Sequence, residues 1–108
     1  MPLADFSLTG RVALVTGASR GIGEAIARGF VEQGASVVLV SRKQESLDEV
    51  AADLRRSGAQ VWAKACHTGR PDQIDALYDW LDREVGRVDI LVNNAATNPY
   101  MGPLLDAF

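Results

Sequence analysis

Short runs of aliphatic and β-branched residues alternate with longer stretches whose apolar residues recur at helical spacing, and few folds accept that alternation. Arg11-Val12-Ala13-Leu14-Val15-Thr16 reads as a buried strand closed by Gly17. Ile22, Ala25, Ile26, Gly29 and Phe30 then fall on one helical face, and Gly34 ends that helix in the left-handed conformation glycine tolerates. Ser36 to Ser41 repeats the strand pattern. Leu47, Val50, Ala51 and Leu54 repeat the helical one, with Gly58 as the stop. Ala59 to Ala65 gives a weaker third strand anchored by Val61 and Trp62. Pro71 suits the first turn of a third helix, where its missing N–H is no loss. That helix turns Ile74, Leu77, Tyr78, Leu81 and Val85 inward, Trp80 lies off the stripe, and Gly86 closes it before a fourth strand, Val88 to Val92.

The order βαβαβαβ with short connections predicts an α/β fold, a doubly wound parallel sheet with right-handed crossovers and strand order 3-2-1-4. At 108 residues the chain is expected to be one domain, 1–108, and to hold only the first half of such a fold. The fourth strand then forms an apolar edge of the kind that recruits partners. Asn93 to Phe108, with Pro99, Gly102 and Pro103, reads as a loop, and Leu104, Leu105 and Phe108 as a possible helix start.

Charge and cysteine usage narrow the function. Eleven basic against fourteen acidic side chains leave a formal charge of −3, which argues against a nucleic-acid surface. Cys66 is the only cysteine, so neither an internal disulfide nor a cysteine-based zinc site is expected. The first apolar run, Val12 to Val15, is too short for a signal core or a membrane span, and a cytoplasmic chain is the expectation.

Thr16-Gly17-Ala18-Ser19-Arg20-Gly21-Ile22-Gly23 lies between the first strand and the first helix. A bound pyrophosphate needs a tight turn, close backbone approach and free N–H groups at a helix start. Gly17 supplies the turn, Gly21 and Gly23 remove side chains at the approach, and the helix offers its N–H groups and positive dipole end. The spacing G-x-x-x-G-x-G differs from G-x-G-x-x-G, and no Gly-Lys-Ser/Thr follows to make a P-loop.

These residues resemble the short-chain dehydrogenase/reductase family. Its Thr-Gly-x-x-x-Gly-x-Gly motif matches Thr16 to Gly23. Its Asn-Asn-Ala-Gly motif matches Asn93-Asn94-Ala95-Ala96 in three of four positions, with Ala96 in place of glycine. Cys66-His67 and the run Asn94 to Pro99 are similar to a carbonyl-reductase-like branch. The resemblance implies that Ser19, Arg20 and Ile22 line the phosphates and that Asn93 and Ala95 pass the adenosine ribose. It also implies that the Asn94 amide ties neighbouring strands. Where the family usually carries an Asp near the adenine, His67-Thr68 stands here, and the imidazole could hydrogen-bond or stack.

An NAD site places a carboxylate about 20 residues beyond the glycine loop. Counting from Gly21 reaches Ser41, then Arg42 and Lys43; Glu45 lies beyond. Arg42 suits a 2′-phosphate through its planar donor fork, with Ser41 and Arg20 beside it, so NADP(H) is expected over NAD(H).

The resemblance implies hydride exchange between nicotinamide and a small alcohol or carbonyl substrate, with a Ser and a Tyr-x-x-x-Lys pair as the catalytic set. Tyr78 is followed at +4 by Asp82 and Tyr100 by Leu104, while both lysines, Lys43 and Lys64, precede either tyrosine. No catalytic residue is therefore assigned. The chain is expected to be an inactive piece of a longer enzyme, a homo-oligomer when full length. The alternatives are a natively short, non-enzymatic nucleotide-binding or interaction module, and a half-fold for another adenosine ligand.

Overall fold

A computed structural model describes residues 8–19, 21–67 and 69–94. Four strands and three helices alternate: β1 (Val12–Thr16), α1 (Gly21–Glu32), β2 (Ser36–Ser41), α2 (Gln44–Arg55), β3 (Val61–Ala65), α3 (Pro71–Glu84) and β4 (Ile90–Asn93). The sheet is parallel with order β3-β2-β1-β4, as the sequence pattern predicts. Thr16 stands level with Val40 on one side and Asn93 on the other.

The central strands are continuous apolar runs because both sheet faces are covered. Val12, Leu14, Val38 and Val40 pack on one face with Ile74, Leu77 and Leu81 of α3. Ala13, Val15, Val37 and Leu39 pack on the other with Ala27 of α1 and Leu47, Val50, Ala51 and Leu54 of α2. The chain thus changes faces on its way from β3 to β4. The β1/β4 boundary becomes the switch point at which ligands sit in such sheets.

The α1 face is corrected by the structure. Ile22 is 71% exposed and Ala25 is also exposed, whereas Gly23 and Ala27 are buried and Ile26, Phe30 and Val31 are partly so. The buried stripe keeps the helical spacing but is rotated by one residue. Two small residues let the helix close on the sheet, and counting large aliphatics puts the stripe on the wrong neighbour. The strand limits also tighten, to Val61 rather than Ala59 and to Ile90 rather than Val88. Val88 remains buried, and Asp89 N–H still donates to Val12 O at 2.8 Å. Tyr78, Trp80 and Val85 are half-buried against the α3-side core, and Lys64 Nζ lies 5.9 Å from the centre of a Trp80 ring. Gly34, Gly58 and Gly86 all take positive φ just past the helix ends, as expected of helix stops.

Asp89 fastens the amino ends of β1 and β4. Its Oδ2 accepts the Val12 N–H at 2.8 Å and Arg87 Nε and Nη2 at 3.1 and 3.0 Å, while Arg87 Nη2 also donates to Gly10 O. The Val12 hydrogen bond first, then Arg87, holds the Asp89 carboxyl below its ordinary pKa. On the other face, Arg28 of α1 bridges Asp53 of α2 at 2.7 Å and Glu24 at 3.2 Å.

Candidate functional site at the carboxyl edge of the sheet

The glycine loop leaves β1 at Thr16 and is steered over β2 by the Ala18 N–H, which donates to Val40 O at 3.2 Å. Gly17 and Gly21 take φ of 65° and 64°, the left-handed region where a side chain is strained. Gly23 is constrained by contact instead. A Cβ there would overlap the Gly17 carbonyl oxygen, with Gly17 C at 2.7 Å and Asn94 Nδ2 at 2.9 Å. Helix α1 begins at Gly21, so its first-turn N–H groups lie at the loop without intrahelical acceptors.

Thr16 and the two asparagines join the loop to β4. Thr16, fully buried, accepts the Asn94 N–H on Oγ1 at 3.0 Å, and that hydroxyl lies 3.1 Å from Asn93 Oδ1 and 3.4 Å from Val92 O. Asn94 Nδ2 donates to Gly17 O at 3.4 Å, so the Asn94 amide does tie neighbouring segments together. Asn93 is exposed at the end of β4.

At the end of β2, Ser41 Oγ donates to Ser19 Oγ at 3.2 Å. Ser19, Ser41, Arg42, Lys43 and Ser46 line a recess of about 560 Å³. Arg42 and Lys43 are exposed, and among the described residues no carboxylate lines this recess. At the end of β3, Cys66 N–H donates to Ser41 O at 2.8 Å, which brings His67 to the same edge. The His67 N–H donates to Gln73 Oε1 at 2.6 Å, and its Nδ1 accepts the Gly69 N–H at 3.1 Å. Burial pushes the Cys66 thiol up, against a smaller opposing pull from Lys64.

Gly17, Ser19, Gly21, Ile22, Gly23, Ser41, Arg42, His67 and Asn93 therefore belong to the loops, the strand ends and the first turn of α1 at one edge. Arg20, Thr68 and Ala95 lie outside the described residues, as do Ala96 and the loop and helix start expected from Thr97 to Phe108. Contacts join Gly17, Gly23 and Asn94 into one cluster and Ser19 with Ser41 into another. Sequence reasoning gave Thr16 no role beyond its place in the motif and gave Asp89 none at all. A buried threonine at a strand end was the available signal for the first; an acid just ahead of the last strand was the signal for the second. Among the described residues, no group of three or more His, Cys, Asp or Glu could hold a metal ion, and no helix is long and apolar enough to cross a membrane.

Two glycines at positive φ, a third with no room for a methyl group, and helix N–H groups that lack intrahelical acceptors form a cradle suited to a diphosphate. The family model for short chain dehydrogenases matches residues 11–106, and the chain belongs to that family. Among its relatives is dehydrogenase/reductase SDR family member 4 of Sus scrofa, 45% identical over 100 residues, covering 93% of this chain and 36% of the relative. Tropinone reductase-like 3 of Erythroxylum coca is 40% identical over 97 residues, covering 90% and 38%. L-sorbose reductase from Gluconobacter frateurii, solved with NADPH and L-sorbose, superposes with a TM-score of 0.81 at 42% identity, covering 86% of this chain and 36% of that one. A hydroxysteroid dehydrogenase from Escherichia coli gives 0.79 at 36% identity, covering 87% and 40%. The chain thus spans little more than a third of the length of these relatives.

Proposed function

We propose that this chain forms the coenzyme-binding part of an oxidoreductase that uses NADP(H) in preference to NAD(H). The observation that carries the preference is the recess at the end of β2, which holds Arg42, Lys43, Ser19 and Ser41 and, among the described residues, no carboxylate. A carboxylate there would accept a ribose 2′-hydroxyl and repel a 2′-phosphate. A guanidinium and two hydroxyls do the reverse. The NADPH bound to the sorbose reductase supports the same reading.

In this reading the loop N–H groups hold the diphosphate, Asn93 and Ala95 border the adenosine ribose, and His67 and Thr68 border the adenine. Nicotinamide, when bound, would give a hydride to a ketone or aldehyde in its reduced form, or take one from the alcohol in its oxidised form. The residues of this chain bind and orient. The Tyr-x-x-x-Lys pair required for proton transfer is not among these 108 residues, so the chain alone turns over no substrate. Similarity to reductases and dehydrogenases favours this reading over a non-enzymatic module. The lone free thiol of Cys66 supports a cytoplasmic setting, and the complete protein is read as a homo-oligomer.

Calorimetric titration of the chain with NADPH and with NADH tests the proposal. NADPH is expected to bind more tightly by about tenfold or more, the scale of one charge-assisted contact. Equal affinities overturn the coenzyme preference, and silence towards both overturns the function.

A further inference from the structure

Strand β3 is an edge of the sheet, yet much of its outward row of peptide groups is occupied by side chains of α2. Gln60 O and Cys66 N–H bond to β2. The pleat therefore turns the peptide groups of Val61, Ala63 and Ala65 away from it. Arg55, the last residue of α2, donates to Val61 O from Nε at 3.1 Å and from Nη2 at 2.5 Å. Gln44, the first residue of α2, donates from Nε2 to Ala63 O at 3.1 Å and accepts the Ala65 N–H on Oε1 at 2.9 Å.

The Gln44 pattern is that of a parallel strand. One amide gives its N–H to the carbonyl of residue i and takes the N–H of residue i+2, as the N–H and C=O of a single residue on a neighbouring parallel strand do. Its orientation is set by chemistry, because Ala63 O needs a donor and Ala65 N–H an acceptor. The second Nε2 proton is engaged by Asp48 Oδ1 at 2.9 Å, one turn along the helix. The dimensions also agree. Eleven helical steps span about 16 Å and four strand steps about 13 Å, so the two ends of α2 reach the two ends of β3.

We propose that Gln44 and Arg55 act as a surrogate fifth strand that closes the β3 edge against addition of a strand from a second copy of this chain. The Gln44 hydrogen bonds are exposed to water and contribute little to stability, while the Arg55 bonds are partly buried. Their effect is to remove two acceptors, Val61 O and Ala63 O, and one donor, the Ala65 N–H, from the row that a docking strand would need.

Hydrogen exchange and sedimentation of the full 108-residue chain test this. In Gln44→Ala, the Ala65 amide is expected to exchange about tenfold faster or more, while the adjacent Cys66 amide, held by Ser41 O, keeps its wild-type rate. Gln44→Glu retains the acceptor for Ala65, loses the donor to Ala63, and favours the helix start electrostatically, so it keeps Ala65 protected in a folded chain. Gln44→Ala/Arg55→Ala is expected to self-associate with rising concentration, with protection returning at the Ala65 amide and appearing at the Val61 and Ala63 amides. An unchanged Ala65 rate in Gln44→Ala overturns the proposal, as does equal acceleration in Gln44→Glu. An exposed edge that leaves the double variant in the wild-type association state overturns it too.

Discussion

The backbone N–H of Asn94 donates to Thr16 Oγ1 at 3.0 Å, joining two residues 78 positions apart in the chain. Through this bond the end of β4 fixes the residue from which the glycine loop departs. The Asn94 side chain then reaches the loop itself at Gly17. Removing the hydroxyl tests the junction. Thr16→Val leaves the Asn94 N–H without that acceptor inside the fold and should cost about 1–3 kcal/mol in urea unfolding. Thr16→Ser, which keeps the oxygen, should cost less; a Thr16→Val variant as stable as wild type would show that the hydroxyl does not hold the junction.

Gly23→Ala should damage the loop more than an alanine in a helix ordinarily would. Its Cβ would press on the Gly17 carbonyl and the Asn94 amide, two groups belonging to the cradle. Overpacking of this kind costs about 1–3 kcal/mol. Thermal melting should report the destabilisation, and calorimetry should report weakened coenzyme binding. Gly29→Ala is the control, because a Cβ at that position meets open space.

Arg42→Asp recreates the acid that the end of β2 lacks. NADPH affinity should fall by about tenfold or more while NADH affinity holds or rises, since the 2′-phosphate loses its guanidinium partner and meets a like charge. Titration with both coenzymes reads the change, and a parallel loss towards both would assign Arg42 to general binding. Folding should be unaffected, as Arg42 is exposed.

Asp89 makes stability depend on pH in one direction. Its folded pKa lies below the ordinary value, first through the Val12 hydrogen bond and then through Arg87. Its contribution is therefore complete above the unfolded aspartate pKa of about 3.9 and is lost as pH falls through the lower folded value. Urea unfolding from pH 7 down to pH 3 should show wild type losing its advantage over Asp89→Asn below about pH 4. A gap that is constant with pH would mean that the carboxylate charge is not what fastens β1 to β4.

Cys66 should be chemically quiet in the native chain. It is 3% exposed, and its thiol is pushed up by burial, so little thiolate is available at neutral pH. Alkylation should be slow until urea unfolds the protein and then approach the rate of a free cysteine. Rapid alkylation in buffer would expose an opening at the end of β3.

The architecture was largely legible because its cues are local. Strand runs, helical spacing, and Gly34, Gly58 and Gly86 each act within a few residues, and all three glycines stand at positive φ. The glycine loop was legible for the same reason. Long-range partners were not. Asp89 reads as one polar residue before a strand until the fold sets it against Val12, 77 positions away. Gln44 looks like a solvated helix start until β3 lies alongside it. The α1 face failed differently: Gly23 and Ala27 are small because the helix sits close to the sheet, and apolar bulk pointed to Ile22 instead.

The strand order sets a timetable for biosynthesis. β1 occupies the interior of the sheet, but its neighbour β4 is encoded more than 70 residues later. A ribosome adding about 5–20 residues per second leaves one flank of β1 bare for several seconds. The nascent chain can pair β1 with β2 and β2 with β3 early, yet the glycine loop lacks its Asn94 contact until β4 has emerged. Anchoring of the glycine loop to β4 is thus a late event in the life of the newborn polypeptide, arriving seconds after the strand that carries the loop has found its first partner.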